Sequence, residues 1–134
     1  RANSYSKKLD LGLAICHKQR KVANEVAEMT VIGDVRGKDV ILVDDMVDTA
    51  GTLTKAADLF LSNGALSVRA ICTHAVLSGP AYERIEKSGL SELVVTDSIP
   101  LKQKSDKIKV LSVAQLYADV MHSLVKHESI SRHF

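Results

Sequence analysis

Residues Val40 to Thr52 read Val-Ile-Leu-Val-Asp-Asp-Met-Val-Asp-Thr-Ala-Gly-Thr: an apolar run meets two adjacent carboxylates, then a turn of small residues, then a helical pattern. Each part can do a distinct piece of chemistry. The first backbone N–H groups of a helix lack partners inside it, and the macrodipole favours negative charge there. Asp48-Thr49-Ala50-Gly51-Thr52 can therefore wrap a phosphate monoester. Gly51 permits close approach or a positive φ, while Thr49 and Thr52 bring hydroxyl donors. Asp44 and Asp45, at the carboxyl end of the expected strand, can accept hydrogen bonds from vicinal sugar hydroxyls or hold Mg2+ through water. Together these parts suit a sugar phosphate. A strand ending in Asp-Asp also arises where one Asp merely caps a helix; the whole run in register is what points to a ligand.

Other chemistry-bearing residues give weaker signals. The stretch from His17 to Glu28 is polar without an apolar face and gathers Lys18, Arg20 and Lys21; it reads as a loop, or a weak helix within one. A basic cluster of this kind is ordinarily a solvated face. His74 ends a strand on the side where a ligand is expected, yet a lone histidine there is commonly a satisfied structural residue. His17, His122, His127 and His133 show no metal-ligand spacing with cysteine or acids, so a zinc site is not expected. Cys16 and Cys72 each end an apolar run, where a buried free thiol in a reducing cytosol is the ordinary reading.

The elements that must position these groups follow from periodicity. Val40 to Val43 is a β-branched and Leu run of the kind covered on both faces, which predicts a central parallel strand. From Thr52 onward, Leu53, Ala56, Ala57, Phe60 and Leu61 fall on one helical face, and Gly64 sits where a left-handed helix stop belongs. Ala2, Tyr5 and Leu9 have helical spacing, Leu11 to Cys16 reads as a short strand and Met29 to Ile32 as another, and the span from Gly33 to Gly37 is a turn. Beyond the helix that Gly64 stops lie strands at Val68 to Cys72 and Leu93 to Thr96, a helix at Pro80 to Lys87 stopped by Gly89, and an extended piece at Ile108 to Leu111. Ser112 then caps a final helix striped with Val113, Leu116, Tyr117, Val120, Met121 and Leu124. Strands alternating with helices predict an α/β fold, a doubly wound, mainly parallel sheet flanked by helices with ligands at the carboxyl ends of its strands.

Composition narrows the partners. A chain of 134 residues, 46% hydrophobic, with no Pro/Gly-rich linker, suits one domain. Its net charge of +2 is spread without a basic stripe, so nucleic acid is not an expected partner. No apolar run approaches the roughly 20 residues that span a bilayer, and no signal-like segment opens the chain; a soluble protein without a membrane partner is expected.

The run from Val40 to Thr52 resembles the phosphoribosyl-diphosphate binding motif of the type I phosphoribosyltransferase fold. The flanks are more specific. The segments His17 to Met29 with Val31 to Val35, Thr73 to Ala81, Val94 to Pro100, and Glu128 to Phe134 are similar to the ribose-phosphate diphosphokinases, in the same order and over nearly the whole chain. That resemblance implies a cytoplasmic enzyme of nucleotide biosynthesis that transfers the diphosphoryl group of MgATP to the anomeric hydroxyl of ribose 5-phosphate, giving phosphoribosyl diphosphate and AMP. It assigns Lys18 and Arg20 to a catalytic loop that closes on the triphosphate. It places Asp44, with Asp45 beside it, at the ribose hydroxyls, and Asp48, Thr49, Ala50, Gly51 and Thr52 at the 5-phosphate. Mg2+ is the implied cofactor, with ATP as co-substrate.

Family members are about twice this length, so the resemblance makes residues 1–134 a carboxy-terminal domain, incomplete at its start, whose ATP-binding half is absent. Alone it is expected to bind ribose 5-phosphate weakly, or phosphate, and to make no product. Ser129, Ser131 and Phe134 match a terminal segment that in the phosphate-activated class helps form a regulatory phosphate/ADP site with a neighbouring subunit; a tail that merely frays is the alternative. His133 stands where many members carry an apolar residue. Homo-oligomerisation is expected of the complete enzyme. Three other readings are a nucleobase phosphoribosyltransferase, a non-catalytic regulatory homologue of the synthetase, and an unrelated α/β anion-binding module.

Overall fold

The computed structural model describes residues 2–19 and 28–133, without the side chains of Lys18, Gln19 and Glu28. In chain order the elements are α1 (Ala2–Leu9), β1 (Ile15–Gln19), β2 (Glu28–Ile32), β3 (Asp39–Val47), α2 (Gly51–Ser62), β4 (Ser67–Ala75), α3 (Ala81–Lys87), β5 (Glu92–Thr96), β6 (Ile108–Leu111) and α4 (Ala114–Val125), ending in a 3-10 turn at Ser131–His133. Strands β3, β4, β5 and β6 form a parallel sheet in that order, while β1 and β2 make a separate antiparallel ribbon. Neighbouring parallel strands joined through a helix take right-handed crossovers. Two such crossovers in the same direction put α2 and α3 on one face of the sheet, where they touch.

The core lies between that face and those helices. Leu53, Ala56, Ala57 and Phe60 from α2 meet Val68, Ala70 and Cys72 from β4, with Ile85 from α3 and Leu93 and Val95 from β5. Phe60 is 2% exposed, so the helical spacing read from the sequence is the buried face. At the end of α2 the Gly64 N–H bonds the Leu61 carbonyl at 2.9 Å and the Ala65 N–H bonds the Phe60 carbonyl at 3.1 Å, with Gly64 at φ 91. This paired stop satisfies two carbonyls the helix would otherwise leave open, and it needs a residue tolerant of the left-handed region.

Four elements differ from the sequence reading. The stretch from residue 11 to 14 has no regular structure, and the strand runs instead from Ile15 into His17, Lys18 and Gln19. Its pairing with β2, from Ile15 opposite Ile32 to Gln19 opposite Glu28, is cross-strand and leaves little mark in the polar residues His17 to Gln19. The rest of the expected loop, residues 20–27 with Arg20 among them, lies outside the described residues. The run Val40 to Val43 is parallel, but among the described residues β3 is an edge strand, and Ile41 is exposed. The strand also continues past both carboxylates to Val47, because its register with β4 holds as far as Val47 opposite Ala75.

The last helix departs in two ways. Its N-cap residue is Val113, whose N–H donates to the Asp97 carboxylate at 2.9 Å; Ser112 contributes through its hydroxyl, which accepts the Ala114 N–H at 3.3 Å. Its apolar stripe does not enter the core: Leu116, Tyr117, Met121 and Leu124 are exposed, Val113 and Val120 are half-buried, and the adjoining Val125 is 79% exposed. Ser123 is the buried residue of α4 among those described, covered by the returning tail.

Candidate functional site

Three carboxyl-side features meet at one end of the sheet: the turn from β3 into α2, the segment leaving β4, and the first turn of α3. The segment from Asp48 to Ala50 is short and strained. Ala50 sits at φ 58, ψ 1 with its side chain 4% exposed, and Leu77 across from it is at φ 45 and 2% exposed. Non-glycine residues in the left-handed region are uncommon, and such strain gathers at sites where the surroundings fix it. The sequence allows Gly51 a close approach or a positive φ. Ala50 holds the positive φ, and Gly51 makes room: a Cβ there would lie 3.2 Å from Nη1 of Arg84.

Hydrogen bonds fix which way the turn's peptide groups face. The Val47 carbonyl accepts from the Leu77 N–H at 3.1 Å, and the Asp48 carbonyl accepts from the Ser78 N–H at 3.1 Å. Arg84 Nη1 donates to the Thr49 carbonyl at 2.9 Å. The Ala50 carbonyl accepts twice from Thr54, from its N–H at 3.0 Å and its Oγ1 at 2.9 Å. Peptide groups are planar and trans, so each N–H points opposite to the carbonyl it is joined to. Four successive carbonyls directed at protein partners therefore turn the N–H groups of Asp48, Thr49, Ala50 and Gly51 away from those partners. Among the described residues, no carbonyl or side chain accepts from these four groups. Successive N–H groups around a single left-handed residue make an anion-binding concavity, and the α2 macrodipole adds to it.

The side chains around this concavity are polar where they face solvent. Asp48, Thr49 and Thr52 are exposed, whereas Ala50 turns into the core. Ser78 Oγ donates to the Asp48 carboxylate, so side chain and backbone of Ser78 both grip residue 48. Within β3, Asp44 is exposed and Asp45 half-buried, and Asp44 Oδ1 accepts the Asp45 N–H at 2.9 Å. Burial pushes the Cys72 thiol above its usual range, and the Asp44 and Asp45 carboxylates raise it further, so both acids lie near the neighbouring strand. Cys16 is half-buried rather than buried as expected, and partial burial likewise raises its thiol.

The structure thus brings Asp44, Asp45, Asp48, Thr49, Ala50, Gly51 and Thr52 to one corner of the molecule. Lys18 has its backbone in β1 opposite Met29, but its side chain, Arg20 and Phe134 lie outside the described residues. His74 has a protein partner: its Nδ1 is 3.0 Å from Ser98 Oγ, in a group with Thr96 and the Thr73 carbonyl. Ser129 and Ser131 hydroxyls are 3.1 Å apart in a tail tied to α4, where Arg132 Nη2 donates to Ser123 Oγ at 2.9 Å. Two residues that grip the turn escaped the sequence reading as such, Ser78 and Arg84. The signal was in the topology: in adjacent parallel strands the segment leaving β4 must run beside the segment leaving β3.

Among the described residues no group of three or more His, Cys, Asp or Glu side chains could hold a metal ion, and no helix is long and apolar enough to cross a membrane.

A family model described as the phosphoribosyl synthetase-associated domain matches residues 19–134. The ribose-phosphate pyrophosphokinase of Porphyromonas gingivalis is 58% identical over 131 residues, which is 98% of this chain and 42% of that protein. The ribose-phosphate pyrophosphokinase of Wolinella succinogenes is 54% identical over 134 residues, 100% of this chain and 43% of that protein. Among solved structures, phosphoribosylpyrophosphate synthetase from Mycobacterium smegmatis superposes with a TM-score of 0.84 at 35% identity, over 95% of this chain and 42% of that one. The chain therefore spans less than half the length of these relatives.

Proposed function

Because the chain belongs to the phosphoribosyl synthetase-associated domain family, we propose that it is the ribose 5-phosphate-binding part of a ribose-phosphate diphosphokinase. The observation that carries this reading is the row of N–H groups from Asp48 to Gly51, held outward at the helix start by bonds to four successive carbonyls. A phosphate monoester offers the acceptors such a row needs, and the hydroxyls of Thr49 and Thr52 stand beside it. In this reading Asp48 to Thr52 hold the 5-phosphate and Asp44 meets the ribose hydroxyls, with Asp45 next to it. Anchoring the phosphate at one end and the hydroxyls at the other leaves the anomeric hydroxyl facing outward, which is the positioning an in-line attack on the β-phosphorus of ATP requires.

The remaining roles are those that the family resemblance implies. Lys18 and Arg20 meet the triphosphate, supplying cationic donors where phosphoryl charge shifts. Mg2+ arrives with ATP as the substrate chelate, and Asp44 and Asp45 are the hard oxygen groups that would meet its water shell. Residues 1–134 act as the carboxy-terminal, phosphoribosyltransferase-like domain, and the part of the protein outside this chain binds the adenine and shares the triphosphate with Lys18 and Arg20. The exposed stripe of α4 supports a contact with that part or with another subunit of a homo-oligomer. Ser129, Ser131 and Phe134 take phosphate or ADP as effectors; of these, Ser129 and Ser131 lie in the stretch that Arg132 ties to Ser123. A cytoplasmic location fits two free cysteines.

The test is isotope transfer in the complete protein. With ATP labelled at the γ-phosphorus, a diphosphokinase places the label in the sugar product and releases unlabelled AMP. Label that stays in ATP while phosphoribosyl diphosphate is consumed in the presence of a nucleobase would replace this reading with a transferase.

A further inference from the structure

Arg84 is one turn into α3, 35 residues beyond Thr49 in sequence, yet its Nη1 donates to the Thr49 carbonyl at 2.9 Å. This is the donor that holds that carbonyl among the described residues. The bond sits immediately before Ala50, the residue at φ 58. A left-handed alanine persists only where both of its flanking peptide groups are fixed. Thr54 fixes the one that follows, through its N–H and Oγ1 to the Ala50 carbonyl. Arg84 fixes the one that precedes. The closeness of the guanidinium is recorded in the backbone, since a Cβ at residue 51 would come within 3.2 Å of Nη1. Meanwhile the neighbouring Glu83 pairs with Lys87 at 2.5 Å along the exposed side of α3.

We infer that Arg84 is a positioning residue for the sugar phosphate: by holding the Thr49 carbonyl it turns the Ala50 N–H into the anion concavity and keeps the turn in its binding form before ligand arrives. The inference rests on the sugar-phosphate reading of the turn. Arg84 acts through the peptide group it grips. Its planar fork can hold a carbonyl in one direction while its charge draws the phosphate to the same corner, which a flexible ammonium does less well.

The experiment compares the 134-residue chain with Arg84→Gln, Arg84→Lys and, as a control on the same helix, Lys87→Gln. Two quantities are read: microsecond-to-millisecond exchange at the amides of Thr49, Ala50 and Gly51 without ligand, by NMR relaxation dispersion, and the ribose 5-phosphate dissociation constant by calorimetry. The expected result is a quiet turn in the wild type and exchange in Arg84→Gln. The dissociation constant should rise about tenfold in that variant, the scale of one lost charge-assisted hydrogen bond, with partial restoration by lysine. Lys87→Gln should match the wild type in both. A quiet turn in Arg84→Gln with wild-type affinity would overturn the inference. Failure of the wild type to bind ribose 5-phosphate would strike the sugar-phosphate reading itself, and the exchange measurement without ligand would still decide whether Arg84 holds the turn. If Arg84→Gln does not fold, Arg84→Lys carries the same test: exchange at Ala50 supports the inference, and a quiet turn with unchanged affinity refutes it.

Discussion

Replacing Ala50 by glycine and by valine should separate the backbone strain at the site from its packing. At φ 58, alanine carries the cost of the left-handed region, about 1–2 kcal/mol, which glycine would not. The side chain is 4% exposed, so glycine gives up a buried methyl worth about 0.8 kcal/mol. Glycine also frees the unfolded chain, costing roughly a further 0.4–1 kcal/mol. Gain and losses nearly cancel, and Ala50→Gly should leave stability within about 1 kcal/mol of wild type. Valine has no such compensation. It brings a β-branched carbon to a positive φ and two more carbons into an enclosed place, where overpacking alone costs about 1–3 kcal/mol. Urea unfolding at constant m-value measures both. The glycine variant should also bind ribose 5-phosphate several-fold more weakly, because its turn must be ordered by the ligand, and calorimetry reads that loss. A valine variant as stable as wild type would refute the reasoning, since it would mean that Ala50 is neither left-handed nor enclosed.

Other outcomes follow from the same structure. In the complete protein, Lys18→Ala should lower turnover about 100- to 1000-fold, the scale of one transition-state donor, and near-normal steady-state turnover would remove Lys18 from the mechanism. The Asp97 carboxyl is held below its usual range by the Ser112 hydroxyl and then by the Val113 N–H. A lowered folded pKa means that the anchorage of α4 is present above the ordinary aspartate value, about 3.9, and is lost as pH falls through the lower folded value. The Val113 amide shift should report a midpoint on the acid side of that figure, and a midpoint at or above it would contradict the assignment. Burial raises the Cys72 thiol and encloses it, so iodoacetamide at neutral pH should modify Cys72 about tenfold or more slowly in the folded chain than in denaturant, with half-buried Cys16 less protected; equal rates at Cys72 would place that thiol at the surface.

What could be seen in the sequence was what depends on near neighbours. The face of α2, its stop at Gly64, and the succession of strand, small-residue turn and helix are all local patterns, and the structure builds each of them, with the two acids inside the strand rather than at its end. What escaped depends on partners far along the chain. Ser78 grips Asp48 across 30 residues and Arg84 grips Thr49 across 35, and neither carries a local mark of that task. The β1–β2 ribbon extends from its apolar end into the polar residues His17 to Gln19, whose pairing with β2 leaves no local strand pattern, so the sequence reads them as loop. The left-handed residue of the turn is Ala50, although composition favours the adjacent glycine. Gly51 is instead explained by the guanidinium packed against it. The stripe on α4 is legible as apolar, but whether a helix face is covered depends on tertiary placement, and here most of it is exposed.

Titrating the 134-residue chain with ribose 5-phosphate while following backbone amide shifts tests the central claim most directly. The account predicts saturable movement concentrated at Asp48, Thr49, Ala50, Gly51 and Thr52, with ribose lacking the phosphate leaving those signals where they were. Shifts that cluster elsewhere, or five turn amides that stay still as the sugar phosphate saturates, would contradict it.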